Sequence, residues 1–175
     1  MCTLHVPLDG ARSEAFADRL IGALNEAGLV LMLSVGHRTA LFDTLAEEGQ
    51  VTSEELAAAA GLDERYVREW LAAMTTGRVV ELDVEAGRYR LPAEHAAFLT
   101  RSASPNNLAV AAQYVSLLGA VEDDVVACFL EGGGVPYDRF ERFHEVMAED
   151  SDQTVLSALL TDIVPLVPGL EERLE

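Results

Sequence analysis

Between Thr52 and Leu91 the chain is punctuated so closely that few folds are open to it. Thr52-Ser-Glu-Glu55 reads as a capping box, with the Thr52 hydroxyl accepting from the helix and Glu55 reaching back. The helix from Ser53 to Ala60 stops at Gly61, a residue free to take the left-handed conformation of a C-terminal cap. Asp63 caps a second helix, Glu64 to Thr76, whose inward face is Val67, Leu71 and Met74, with Tyr66 and Trp70 beside it. Gly77 ends that helix. Two strands are expected next, Val79 to Leu82 and Arg88 to Leu91, joined by a short connection with Gly87 near its end. Helix, tight turn, helix and hairpin make a winged helix-turn-helix. The fold class expected for the whole chain is therefore mainly α: a winged helix-turn-helix with a small β-hairpin wing, plus additional helices.

The flanks supply those helices. From Ser13 to Gly36, apolar residues Phe16, Leu20, Leu24, Leu31 and Val35 recur at three- and four-residue steps. Leu29-Val-Leu-Met-Leu33 is apolar on every face, which a helix tolerates only when covered all round. One small domain has little to cover it with, so a second copy of the chain is expected there, making a homodimer with Phe16, Leu20, Leu24 and Leu31 in its interface. Thr39 to Leu45 reads as a further helix. After Pro92, helices are expected at Ala93 to Thr100, Asn106 to Leu118 and Ala120 to Leu130. A break follows at Glu131-Gly-Gly-Gly-Val-Pro136. Helical spacing returns from Asp138 to Glu149, and a last helix runs from Ser151 to Val164 until Pro165 and Pro168 stop it. This divides the chain into a flexible terminus (1–12), dimerisation helices with the winged module (13–100), and a helical region (101–175).

Charge narrows the chemistry. Twelve cations stand against thirty acids, a net charge of −18, and every cation is Arg. Without Lys there is no lysine Schiff base and no P-loop lysine. Residues 52–91 hold five Arg and eight acids, so the winged module is net −3 and would repel a phosphate backbone. A DNA-binding transcriptional regulator is therefore the alternative reading, and no nucleic-acid partner is expected. Cys2 and Cys128 are too few for a disulfide framework and read as reduced thiols of a cytoplasmic protein. The first ten residues lack the basic start and apolar core of a signal peptide. The run Leu29 to Leu33 is far shorter than the roughly 20 residues a bilayer requires, so no membrane is expected.

The chemistry-bearing residues are sparse. His5, His37, His95 and His144 are scattered, and His144-Glu145 lacks the second His of a zincin helix, so no metal site is assigned. Gly132 to Gly134 is followed by Val-Pro rather than Lys and reads as a flexible turn. Glu122, Asp123 and Asp124 suit the start of a helix better than an acid pair, since adjacent carboxylates face different sides. No nucleophile and base with a supporting third group can be picked out, so no catalytic residue is assigned. Phe140, Phe143, His144 and Met147 follow the glycine break and could line a small-molecule pocket: apolar rings with one titratable group.

Several segments, in this order, resemble the N-terminal region of bacterial class I S-adenosylmethionine-dependent methyltransferases that carry a winged helix. They are His37-Arg-Thr-Ala-Leu-Phe-Asp-Thr-Leu45, Val51-Thr-Ser-Glu-Glu-Leu-Ala57, Gly61-Leu-Asp-Glu-Arg-Tyr-Val-Arg-Glu-Trp-Leu71 and Tyr89-Arg-Leu-Pro-Ala-Glu-His-Ala-Ala-Phe-Leu99. Leu117-Leu-Gly-Ala-Val-Glu-Asp-Asp124 and Arg142-Phe-His-Glu-Val-Met-Ala-Glu-Asp-Ser151 continue the likeness. The resemblance implies a domain that dimerises and closes as a lid over a small-molecule methyl acceptor. It implies that full-length relatives bind S-adenosylmethionine in a following Rossmann-like domain, which opens with a strand and an acidic-then-Gly-x-Gly turn. No such turn is read in the 175 residues, so no cofactor and no cofactor-binding residue is expected in this chain.

Overall fold

The computed structural model describes residues 8–170 and Arg173. Cys2, His5 and most of the expected flexible terminus lie outside the described residues.

The first helix, α1, runs Gly10–Arg38, longer at both ends than the apolar pattern indicates. Asp9 caps it by accepting from the Arg12 backbone N–H at 3.2 Å. It ends where Thr39 turns its hydroxyl back to donate to the Val35 carbonyl at 2.7 Å. Ala40 then takes a left-handed conformation (φ 58°) that turns the chain into α2, Leu41–Glu48. That turn absorbs Thr39 and Ala40, so the second helix starts later than its expected Thr39.

Against α1's C-terminal half pack α2 and α4 (Glu64–Thr76), and α3 (Ser53–Ala60) packs on both of those, with the core made by Phe42, Leu45, Leu56, Leu71 and Met74. The Trp70 indole packs edge-on against Phe42, centroids 5.1 Å apart, and its N–H donates to the Met32 carbonyl at 2.9 Å. That bond ties α4 to α1. The capping box forms as read: Glu55 N–H donates to Thr52 Oγ1 at 3.2 Å, and Thr52 N–H donates to the Glu55 carboxylate at 2.9 Å. The Thr52 N–H holds the Glu55 carboxyl below its ordinary value. Its contribution to stability is therefore present above the unfolded carboxyl pKa and lost as pH falls through the lower folded value. Thr52→Ala should destabilise the domain by about 1 kcal/mol in denaturant titration at neutral pH.

The wing is shorter than expected. Strands β1 (Glu81–Asp83) and β2 (Arg88–Arg90) pair antiparallel, Glu81 opposite Arg90 and Asp83 opposite Arg88. Val79 and Val80 are withheld from the first strand because both their N–H groups donate to the Met74 carbonyl, closing the end of α4. Arg78, at φ 59°, makes that turn possible. Val51 extends the hairpin by a single bridge to Tyr89.

The remaining helices are α5 (Ala93–Leu99), α6 (Ala109–Gly119), α7 (Glu122–Glu131) and α8 (Phe143–Ser151). The expected helix from Asp138 is divided: Tyr137–Arg139 forms one 3-10 turn, Phe140 leaves helical geometry, and α8 begins at Phe143. The expected last helix, Ser151 to Val164, is wound differently. Asp152–Leu156 and Leu159–Ile163 are π-helical turns and Val164–Leu166 is a 3-10 turn. α6 packs on α1, and α8 packs on α6.

Candidate functional site

Three features could carry function. The first is the free length of α1. Every residue from Leu8 to Gly28 is exposed, whereas Leu29, Val30, Met32 and Leu33 are half-buried by α4 and α6. Thus roughly five turns of helix project from the body, left exposed by the described residues. Phe16, Leu20, Ile21 and Leu24 lie on this part, and Leu24 is 73% exposed. Leu31, nearer the body, is 39% exposed. By length and composition alone, α1 is also apolar enough to span a bilayer, which the short run Leu29 to Leu33 does not reveal. Arg12, Glu14, Asp18, Arg19 and Glu26 interrupt that exposed section.

The second feature is aromatic. The rings of Phe140, Phe143 and His144 come together, and Tyr137 joins them. Tyr137 sits 5.2 Å from Phe143 and 5.4 Å from His144, ring centre to ring centre. Its place is set by the 3-10 turn after Pro136, which the helical reading of this segment left out. The patch is open to solvent: Tyr137 and His144 are exposed, and Phe140 and Phe143 half-buried; Met147, one turn further along α8, is exposed as well.

The third is a polar junction where α1, α6 and α8 meet. His37 is 1% exposed, and its Nε2 lies 2.7 Å from one oxygen of Glu149. The Gln113 side-chain amide donates to the other oxygen at 2.7 Å, and Arg142 donates to Gln113 Oε1 at 2.8 Å. Arg101 donates to the His37 carbonyl at 2.6 Å and pairs with Asp43. His37 Nδ1 has no partner among the described residues. Sequence spacing could not have found this junction, since His37 and Glu149 are separated by 112 positions. His95 has a simpler role, holding the Val79 carbonyl through Nδ1 at 2.8 Å.

Residues 27–101 match the family model described as the Rv2258c-like winged HTH domain. They are a winged helix-turn-helix domain. Among solved structures the chain is similar to the mitomycin 7-O-methyltransferase MmcR, at 21% identity and a TM-score of 0.57, over 82% of this chain and 43% of that one. It is similar to CalO1, a methyltransferase of calicheamicin biosynthesis solved with SAH, at 22% identity and a TM-score of 0.58, over 87% and 47%. Human N-acetylserotonin methyltransferase with SAM gives 19% identity and a TM-score of 0.58, again over 87% and 47%. The chain thus spans less than half the length of each, and the likeness establishes the fold. No curated protein sequence matches it.

The winged domain's cations are largely engaged at home. Arg88 pairs with Glu55 at 3.0 Å, Arg90 with Glu81, and Arg68 with Glu64 at 3.7 Å. The outward face of α4 carries Asp63, Glu64 and Glu69 against Arg65 and Arg68. Phosphate contacts supply most of the affinity of DNA-binding winged helices, and this face offers few. Duplex DNA binding should accordingly be absent at physiological salt in a fluorescence-anisotropy titration. A sequence-specific footprint at moderate salt would instead establish the regulator reading.

Proposed function

We propose that this chain is the dimerisation and substrate-lid portion of a cytoplasmic S-adenosylmethionine-dependent small-molecule methyltransferase. The observation that carries the reading is α1, an amphipathic helix that leaves Phe16, Leu20, Ile21 and Leu24 in water. Each large apolar side chain so exposed forgoes about 1.5–3 kcal/mol that burial would supply. A two-fold contact with the same helix of a second copy recovers it, since such an interface uses one patch twice. The methyltransferase neighbours support the rest of the reading through the fold.

The described residues do not fit the cofactor itself. Their only two strands are those of the wing, and Gly132 and Gly133 lead into Val135-Pro136 and a 3-10 turn rather than from a strand into a helix. What the chain supplies is a cover: Tyr137, Phe140, Phe143 and Met147 present apolar surface that would exclude water from an acceptor, and His144 adds one titratable group. Titrating the 175-residue chain with S-adenosylmethionine in a calorimeter should give no binding heat. Micromolar affinity would overturn the placement of the cofactor site outside these residues. Sedimentation of the chain and of Leu24→Glu tests the dimer.

A further inference from the structure

Where α1 ends, a recess of about 360 Å³ opens that is walled by His37, Arg38, Arg101, Gln113, Arg142 and two glutamates, Glu145 and Glu149. Seams between packed helices are ordinarily apolar; this one has charged or polar side chains on every wall. Its three arginines face two glutamates, and Asp43, paired with Arg101 from outside the lining, balances the third, in a chain whose net charge is −18.

The arginines arrive from three places. Arg38 is in the last turn of α1, Arg101 begins the 3-10 turn after α5, and Arg142 precedes α8. A favourable position against the α1 dipole accounts for Arg38 and for Arg101, which donates to the His37 carbonyl in the last turn of α1 and pairs with Asp43. It does not account for Arg142. The glutamates are already engaged: Glu149 by His37 and Gln113, and Glu145 by Arg142 at 3.1 Å. The Arg142 guanidinium and, at longer range, the Arg38 charge hold the Glu145 carboxyl below its ordinary value, which keeps it ionised and locked to Arg142. Arg142 uses Nε and Nη2 for Glu145 and Gln113, which fixes its plane and leaves Nη1 without a partner among the described residues. Arg38 is exposed and has no carboxylate at ion-pair distance among the described residues. A second recess of about 330 Å³ shares Arg38 and Arg142 and adds Arg139, itself paired with Asp124 at 2.9 Å.

We propose that the recess between Arg38 and Arg142 is a binding site for a small oxyanion, a carboxylate or a phosphate group. Planar guanidiniums present paired N–H donors that match such groups, and one already held in place loses little freedom on binding. The site is separate from the aromatic patch and does not depend on the lid reading. Arg139 and Arg142 alternate along the chain with Phe140 and Phe143, and the arginines line the recesses while the rings cluster with Tyr137.

The test is a nitrogen-15 NMR titration of the full chain with inorganic phosphate and, separately, acetate, with ionic strength held constant by chloride. Saturable shifts at the Arg38 and Arg142 Nε–H groups and the Gln113 side-chain amide are expected. Arg38→Gln, an exposed position that should leave the fold intact, should weaken binding about tenfold, the value of one charge-assisted hydrogen bond. Arg65→Gln, on the winged face, should not. Saturation by acetate alone assigns a carboxylate ligand and by phosphate alone a phosphate ligand. Shifts that never saturate, or that persist unchanged in Arg38→Gln, overturn the proposal.

Discussion

Leu24→Glu should convert a dimer of about 38 kDa, twice the 18.9 kDa of one chain, into a folded monomer. Leu24 is 73% exposed on a part of α1 that none of the described residues covers. A carboxylate there leaves the folded protomer nearly untouched, because surface substitutions away from contacts change stability by about half a kilocalorie or less. In the dimer the same carboxylate would be desolvated beside its symmetry mate, and both effects oppose association. Sedimentation equilibrium should therefore report the halved mass while far-ultraviolet circular dichroism stays at the wild-type value. Leu31→Glu should also dissociate the dimer, but less cleanly, since Leu31 is half covered by its own chain and the substitution strains the protomer too. A competing account has residues 105–165 folding back over α1 and burying it within one chain. It holds only for the helix beyond Gly28. A wild type that sediments as a monomer at high concentration would end the dimer proposal and leave the projecting turns unexplained.

The winged module was legible because its signals are local. A capping box, a glycine cap and an aspartate cap each act within four residues, so Ser53–Ala60 and Glu64–Thr76 emerge with the boundaries the sequence indicates. The wing's first strand was misplaced because Val79 and Val80 look like strand residues, yet a tertiary demand, closing the carbonyl end of α4, claims their N–H groups. Beyond Gly132 the difficulty is different. Apolar spacing alone cannot separate α-helical from 3-10 or π-helical turns, and there the chain uses all three. The aromatic cluster was visible as a periodicity, but Tyr137 entered it through a turn that the periodicity passes over. The His37–Glu149 junction had no sequence signal at all. Neither residue is unusual in its own surroundings, and only the packing of α8 against α6 and α1 brings them together.

Gly36→Ala should be among the most damaging small substitutions available to this chain, although it adds one methyl group to a helix. In an exposed helix the change would favour folding by up to about 1 kcal/mol, since Ala has the higher helix propensity. Here the new Cβ would fall 2.6 Å from Trp70 Cζ2 and 2.7 Å from Phe42 Cε2, closer than non-bonded carbons can approach. Neither ring can retreat. Phe42 is fully buried, and Trp70 is held by its contact with Phe42 and by its bond to the Met32 carbonyl. The strain must push α1 away from α4, at a net cost of about 2 kcal/mol or more. For a chain of this size that lowers the Tm by roughly 5 °C or more. Trp70 is the sole tryptophan, so the same displacement should shift the emission of the folded protein to longer wavelength as the indole is uncovered. Gly119→Ala supplies the contrast: nothing lies within 4 Å of its added Cβ, and its Tm should stay within a degree or two of wild type. If Gly36→Ala melts with wild-type Tm and unchanged emission, the close packing of α1 on α4 is not what holds the winged domain to the long helix.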